Sequence, residues 1–356
     1  MTLRLIEGFD TLGTGNYTVC GRLATYRNWV NTTSFETPSG IFAPGRYGTG
    51  RFYLVVWRGQ GGWWRVIDPT GWSSVVCGFA TAPSHAFAGL GAQFFNIRNA
   101  SGTVNCGLSV DTGAQKVRLH NAAGTVVGTS TTAWVTGWNY YEVKLTVGVS
   151  GSATVRQNGV EVIAATTANY GTALAVGPQF WIQGDGYNWT YMGCDDVYFL
   201  DTSGPAPCND FLGDVRVEAI WPTSDGANTD WTQDSGGNQF SRVADSGAGG
   251  PDDDTSYVVA DTVGMKDTYG HGDISATNGV IYGLQHNLVA KKTDAGPRTL
   301  KSVLRHGGAD TDGSVSHVLT ANYTGFQQIW ELNPATATNW LLADINSDEY
   351  GMKVVT

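Results

Sequence analysis

The chain has 356 residues, about two domains at ~150 residues each. Its charged residues make up only 15 %, and its formal net charge is −10. An acidic chain repels phosphate backbones, so nucleic acid is not an expected partner. The sequence holds no run of ~18 apolar residues, so no helix is expected to insert in a membrane.

Glycine occupies 48 positions, beside 13 Trp, 15 Tyr and 13 Phe. Glycine supplies positive φ at tight turns, while aromatic and β-branched side chains pack well on pleated surfaces. Helical i, i+3, i+4 patterning is hard to find, so the fold class expected is all-β. Residues 204–356 hold 20 Asp and Glu against 9 Lys and Arg, a net of −11, whereas residues 1–203 have a net of +1. The opening residues, 1–10, read as a strand running into a turn and lack the apolar core of a signal peptide, so Sec export is not expected. Five cysteines (Cys20, Cys77, Cys106, Cys194, Cys208) are an odd number without close pairs. Buried free thiols are expected of them rather than disulfides or zinc.

In chain order, strands are predicted over 4–8, 51–57, 63–67, 74–80, 91–98, 104–110, 115–120, 138–147, 152–157, 160–164, 179–183 and 194–200. Short strands at ~8–12-residue spacing, separated by Gly, Asn and Ser, point to a sandwich. Asn158-Gly159 between two alternating runs is a strong hairpin signal, because a type I′ turn needs positive φ at both central residues. The segment 200–209 then breaks the pattern with Pro205, Pro207 and Gly204. This gives a first domain at 1–203, a linker at 204–209 and a smaller acidic β domain, sandwich-like, at 210–356. Strands expected there cover 214–220, 282–290, 299–305, 315–320, 326–331 and 349–355.

Three segments carry a resemblance. Trp138-Asn-Tyr-Tyr-Glu-Val-Lys-Leu-Thr-Val147 followed by the Arg156–Val160 hairpin resembles the central strands of laminin G-like, concanavalin A-like jelly rolls. Cys194-Asp-Asp-Val-Tyr-Phe-Leu200 resembles the strand that closes such a domain beside the first one. Leu5–Asp10 is similar to the first strand of versions carried by tailed-bacteriophage proteins. Asn209–Glu218, Gly250–Thr255, Lys266–Thr268, Glu331–Thr336, Trp340 and Glu349–Lys353 resemble the continuation of those phage chains. The resemblance implies a non-enzymatic virion structural protein, on the tail (fibre or tip) or on the capsid surface as a decoration, and adhesive. It would assemble in the host cytoplasm, in homo-oligomers, with other virion proteins and a host surface glycan as partners. A free carbohydrate-binding lectin and a degenerate glycan hydrolase are the competing readings. Fold resemblance does not decide among them.

Three chemistries are open to these residues. A retaining glycosidase needs two carboxylates ~5–5.5 Å apart; Asp214 and Glu218 would share a strand face, but they lie beyond the jelly roll. The histidines (His85, His120, His271, His286, His306, His317) are scattered, and no serine or cysteine has a catalytic context. No cofactor is required, and calcium, with its 6–8 oxygen ligands, is the cation that Asp195 and Asp196 or Asp252, Asp253 and Asp254 would take. Adjacent strand residues point to opposite faces, which counts against either set. Glycan contact has Trp63 and Trp64 in one Gly-opened run and Asp185, Tyr187, Asn188 and Trp189 in another, rings for stacking and polar groups for hydroxyls. The same rings would also cover the rim of a large sandwich core.

Overall fold

The computed structural model describes residues 2–12, 29–31, 45–47, 52–56, 61–66, 68, 70–83, 93–111, 113–134, 137–183, 190–245 and 250–356. Contacts divide the chain into two compact units, principally 28–217 with the N-terminal strand, and 218–356. The division thus falls after Val217, beyond the segment 204–209 where the composition changes.

Among the described residues the first unit contains β1 (Leu3–Glu7), β2 (Trp29–Asn31), β3 (Phe52–Val56), β4 (Gly61–Val66), β5 (Ser74–Pro83), β6 (Phe95–Asn99) and β7 (Val104–Asp111). It continues with β8 (Lys116–His120), β9 (Val126–Ala133), β10 (Asn139–Thr146), β11 (Gly151–Gln157), β12 (Val160–Ala168), β13 (Ala175–Gln183) and β14 (Thr190–Asp201). They form two seven-stranded antiparallel sheets. One runs β1-β14-β5-β10-β11-β12 with β3 on β14; the other runs β2-β4-β13-β6-β7-β8-β9. Several neighbours are distant in sequence, as β14 beside β1 and β5 and β13 beside β4 and β6, the wiring of a concanavalin A-like jelly-roll sandwich. The sheets meet through aromatic rings: Phe79 of β5 stacks on Phe95 of β6 at 4.5 Å between centroids and meets Phe180 of β13 edge-on at 5.1 Å. Such pairs contribute ~0.5–1.5 kcal/mol beyond the area they bury.

The Asn158–Gly159 turn has the expected form, with φ of 50° and 78°. It joins β11 to β12 at the Gln157–Val160 pair, and Asn158 Oδ1 accepts the Tyr140 N–H at 2.8 Å. A Cβ on residue 159 would meet nothing within 4 Å, so any cost of a side chain there comes from the backbone alone. Gly159→Val is expected to destabilise the first unit by roughly 1–3 kcal/mol, the range of strained backbone positions. Thermal denaturation reads this directly, and an unchanged midpoint would contradict it. Cys77, Cys106, Cys194 and Cys208 are buried free thiols, as expected from the placement of Cys77 and Cys106 in apolar strands; Cys20 lies outside the described residues.

The outward side of the β1–β14 sheet is covered by the chain itself. Tyr198 O–H and Gly213 N–H both donate to Glu142 Oε1, at 2.6 and 2.8 Å. Lys144 pairs with Asp210 at 3.0 Å, and Arg156 lies 4.1 Å from the Phe211 ring. This covering corrects one expectation: 214–220 is not a strand. Its alternating apolar residues look like one, but Val217 N–H donates to Asp196 Oδ1 at 2.8 Å and Asp214 is gripped by Arg46. Side chains of the first unit take the partners that a ladder would have used.

The second unit holds β15 (Pro222–Thr229), β16 (Thr232–Gln233), β17 (Val258–Val259), β18 (Lys266–His271), β19 (Leu284–Ala290), β20 (Thr299–His306), β21 (Ala309–Asp312), β22 (His317–Val318), β23 (Thr324–Trp330) and β24 (Glu349–Val354), with one short helix, α1 (Leu342–Ser347). A six-stranded sheet, β15-β18-β24-β20-β21 with β22 on β20, faces the β19–β23 ladder. Between them lie Leu304, Trp330, Trp340, Ile345 and Tyr350 in one cluster and Leu300, Leu319 and Val354 in another. The unit is therefore a small sandwich.

Candidate functional site

Strand alternation assigns the faces of the second jelly-roll sheet. Phe180 and Phe95 are in the core, so Gln179 and Trp181 of β13, and Asn96 and Arg98 of β6, lie on the outward side. Register places Gln179 opposite Asn96 and Asn96 opposite Gly107. On the far side of β13, position 65 pairs with Gln179 and position 63 with Trp181. Asn96 and Gln179 are 0 % and 2 % exposed, yet Asn96 Nδ2 and Oδ1 and Gln179 Oε1 have no hydrogen-bond partner.

Gly107 makes room for this row. A Cβ there would sit 2.5 Å from Gln93 Cδ and 2.5 Å from Asn96 Oδ1, so two side-chain amides occupy the space above the glycine. Opposite Gly107 on β8 stands His120. Its Nδ1 lies 3.0 Å from the Gly124 carbonyl, which only an N–H can satisfy, leaving Nε2 to accept from Ser109 Oγ at 2.6 Å. Each unpaired buried polar group costs about 1–3 kcal/mol. Three such atoms on two directly paired residues are costly as scaffold, but suited to a ligand rich in hydroxyls. An amide offers two donors and an acceptor, and a hydroxyl can serve as either. Trp181, partly exposed, adds an apolar ring beside the row.

Of the residues singled out from sequence, Trp63 and Trp64 fall in β4. Register pairs position 63 with Trp181 and position 64 with Phe180. Asp185, Tyr187, Asn188 and Trp189 lie outside the described residues. Asn96, Gln179 and Gln93 escaped sequence reading, because only the pairing of distant strands brings them together.

The acidic sets are occupied by protein partners. A bulge between Asp195 and Tyr198, with Asp196 at φ 50°, breaks the strand alternation. Both carboxylates therefore face Arg46: its backbone N–H donates to Asp195 Oδ2 at 3.0 Å, and its guanidinium lies 3.6 Å from Asp196 Oδ2. The same guanidinium forks onto Asp214 at 2.5 and 2.6 Å. Burial pushes both carboxyls above their ordinary range, and each backbone N–H that Asp195 or Asp196 accepts pulls the other way. In the second unit Asp252 accepts from Ser256 N–H at 3.2 Å, and Asp254 from Lys291 at 2.5 Å and Tyr323 O–H at 3.1 Å. Asp253 sits at φ 57°. Among the described residues no three His, Cys, Asp or Glu side chains converge to hold a metal. Asp214 and Glu218 share no strand face, and Glu218 accepts from Ser275 N–H at 2.6 Å.

No protein-family model matches the chain, and no curated protein matches its sequence. Among solved structures it is similar to the alginate lyase Aly36B, at 11 % identity over 55 % of this chain and 95 % of that one, with a TM-score of 0.38. It is similar also to the carbohydrate recognition domain of Emp47p (11 %, 55 % and 96 %, TM-score 0.33) and to the carbohydrate binding module CBM66 from Bacillus subtilis (11 %, 50 % and 97 %, TM-score 0.32). Likenesses this slight assign no activity to the chain. What its faces can bind follows from their side chains.

Proposed function

We propose that the chain is a glycan-recognition protein that binds through the outward face of the β2–β9 sheet. The observation that carries this is the row Gln179–Asn96–Gly107, where buried amide atoms lack partners next to Trp181 and the position of Trp63. Sugar hydroxyls would complete the amides once the half-buried Gln93 side chain that lies over Gly107 moves aside, and a ring face would stack on Trp181. The reading is non-enzymatic. The strands of this sheet contain one carboxylate, Asp111, ion-paired to Arg118, where a glycosidase needs two.

Its setting, on this reading, is the surface of a tailed-phage particle, tail or capsid, supported by the resemblance of residues 209–218, 250–255, 266–268, 331–336, Trp340 and 349–353 to such proteins. Many copies on one particle would turn weak single sites into firm adhesion, since linked sites can raise avidity ~10²–10⁴-fold. Mass spectrometry of purified particles would contain the chain; finding it only as a free monomer would leave a free lectin.

A glycan array probed with the full-length protein tests the binding itself. Asn96→Ala and Gln179→Ala are each expected to weaken the best ligand about tenfold, the equivalent of ~1.4 kcal/mol. Gly107→Ala should do the same by displacing two side-chain ends. Binding should persist in EDTA, because the face uses amides and rings. Equal binding by all three variants would remove this face from the reading. Loss in EDTA with recovery in calcium would return attention to Asp195 and Asp196 or to Asp252–Asp254.

A further inference from the structure

Charge separates between the two jelly-roll sheets. The strands of the β1–β14 sheet carry Arg4, Lys144 and Arg156 against Glu7, Glu142, Glu161, Asp195, Asp196 and Asp201. The strands of the β2–β9 sheet reverse the balance, with Arg65, Arg98, Lys116 and Arg118 against Asp111 alone. Alternation places Arg98, Lys116, Arg118 and Asp111 on the outward face: Arg98 follows core residue Ile97, Lys116 and Arg118 flank buried Val117, and Asp111 follows buried Val110. Asp111 is already engaged: Arg118 and the N–H groups of Gly113 and Ala114 all point to it.

In a chain of net charge −10, this face is locally cationic, and it surrounds the unpartnered amides. A patch of one sign concentrates ligands of the other. The described charges run from Arg98 on β6 to Lys116 and Arg118 on β8 across β7, two strand spacings or about 10 Å. That span exceeds a single sugar ring.

We infer that the ligand of this face is an acidic glycan, a chain bearing carboxylate or sulfate groups; the inference rests on the glycan reading above. The amides of Gln93, Asn96 and Gln179 hold its hydroxyls, and Lys116 meets its anions together with Arg98, whose guanidinium also donates to the Gly102 carbonyl; Arg118 stays with Asp111. Neutral amides in mid-face favour hydroxyls over a continuous phosphate backbone.

Titration calorimetry on the full-length protein tests it, with four probes of matched length: oligogalacturonate, a sulfated heparin oligosaccharide, a neutral dextran oligosaccharide and a single-stranded oligonucleotide, each at 50 and 300 mM NaCl. At least one acidic oligosaccharide is expected to bind ten or more times tighter than dextran, with the advantage shrinking at high salt. The carboxylate and sulfate arms identify which anion is read. Lys116→Gln, and separately Arg98→Gln, should reduce the acidic preference several-fold while leaving dextran binding in place. Circular dichroism confirms the fold of each variant. Equal affinity for acidic and neutral chains overturns the inference and leaves the glycan reading standing. Binding to none of the three glycans overturns both, and tightest binding to the oligonucleotide assigns the face to polyphosphate instead.

Discussion

Replacing Gly351 by alanine is expected to unfold the second unit while the first keeps its structure. Gly351 lies within β24, paired with Thr268 of β18 and Val303 of β20. An added Cβ would stand 2.7 Å from Asp267 C and 2.7 Å from Thr268 Cα. These are backbone atoms, which have no rotamer to turn away. Relief requires β18 and β24 to separate, and those strands bring Tyr269, Tyr350 and Val354 into the core. Ordinary overpacking costs about 1–3 kcal/mol; a clash against two paired strands belongs at roughly 3–5 kcal/mol, near the top of single-residue effects. That is a large share of the 5–15 kcal/mol that holds a typical domain. Hydrogen exchange resolved by peptide should show lost protection across 218–356 and little change in 28–217. Gly236→Ala is the control, since a Cβ there meets nothing within 4 Å. Preserved protection in the Gly351 variant would contradict the argument.

Gly351 also shows which parts of this molecule could be read in advance. The strand containing it was legible, because Tyr350, Met352 and Val354 alternate in a short run. Its closeness to Asp267 was not, because it depends on a register with a strand far away in sequence, β18. The Asn158–Gly159 hairpin was legible in detail, as its chemistry is local. β9 was not expected: Val126–Ala133 is rich in threonine, at the sheet edge and mostly exposed, so it lacks the apolar alternation that marks a strand. β15 has the composition of a turn, with Pro222, Asp225, Gly226 and Asn228, and is held by β18 through an irregular register. The converse error lies at 214–220, where alternation was present but side chains of the first unit took the backbone bonds. The binding face divides the same way. Trp63 and Trp64 were visible as rings in a Gly-opened run. Asn96 and Gln179 were ordinary strand residues until pairing set their amides side by side.

The two units are expected to respond to pH in opposite directions. In the second, His271, His286 and His317 lie with the inter-sheet layer. His271 is edge-on to Tyr350 at 5.2 Å, His286 is stacked on Trp330 at 6.2 Å, and His317 is tilted against Phe326 at 5.2 Å. His286 Nδ1 and His317 Nε2 have no hydrogen-bond partner. Burial lowers His271 to about 4 and His286 to about 3, His286 further by its two fellow imidazoles, and burial lowers His317 as well. The folded state thus binds fewer protons than the unfolded one below ~6.5. Stability is full above that value and falls as pH drops through the window down to the folded pKa values. At 1.36 kcal/mol per unit, full titration of His271 accounts for roughly 3 kcal/mol and that of His286 for roughly 5 kcal/mol. In the first unit, burial raises the carboxyls of Asp195 and Asp196. There the folded state binds more protons, so the contribution is full below ~3.9 and is lost as pH rises through the folded values. Thermal unfolding followed by peptide-resolved hydrogen exchange at pH 4.5, 6 and 8 should show the second unit gaining stability up to about 6.5 and the first losing it across the same range. His286→Phe keeps a ring against Trp330 and removes the proton site, so it should flatten the acid limb of the second unit alone. Parallel pH slopes in the two units, or an unchanged acid limb in that variant, would show that these buried groups do not govern the response.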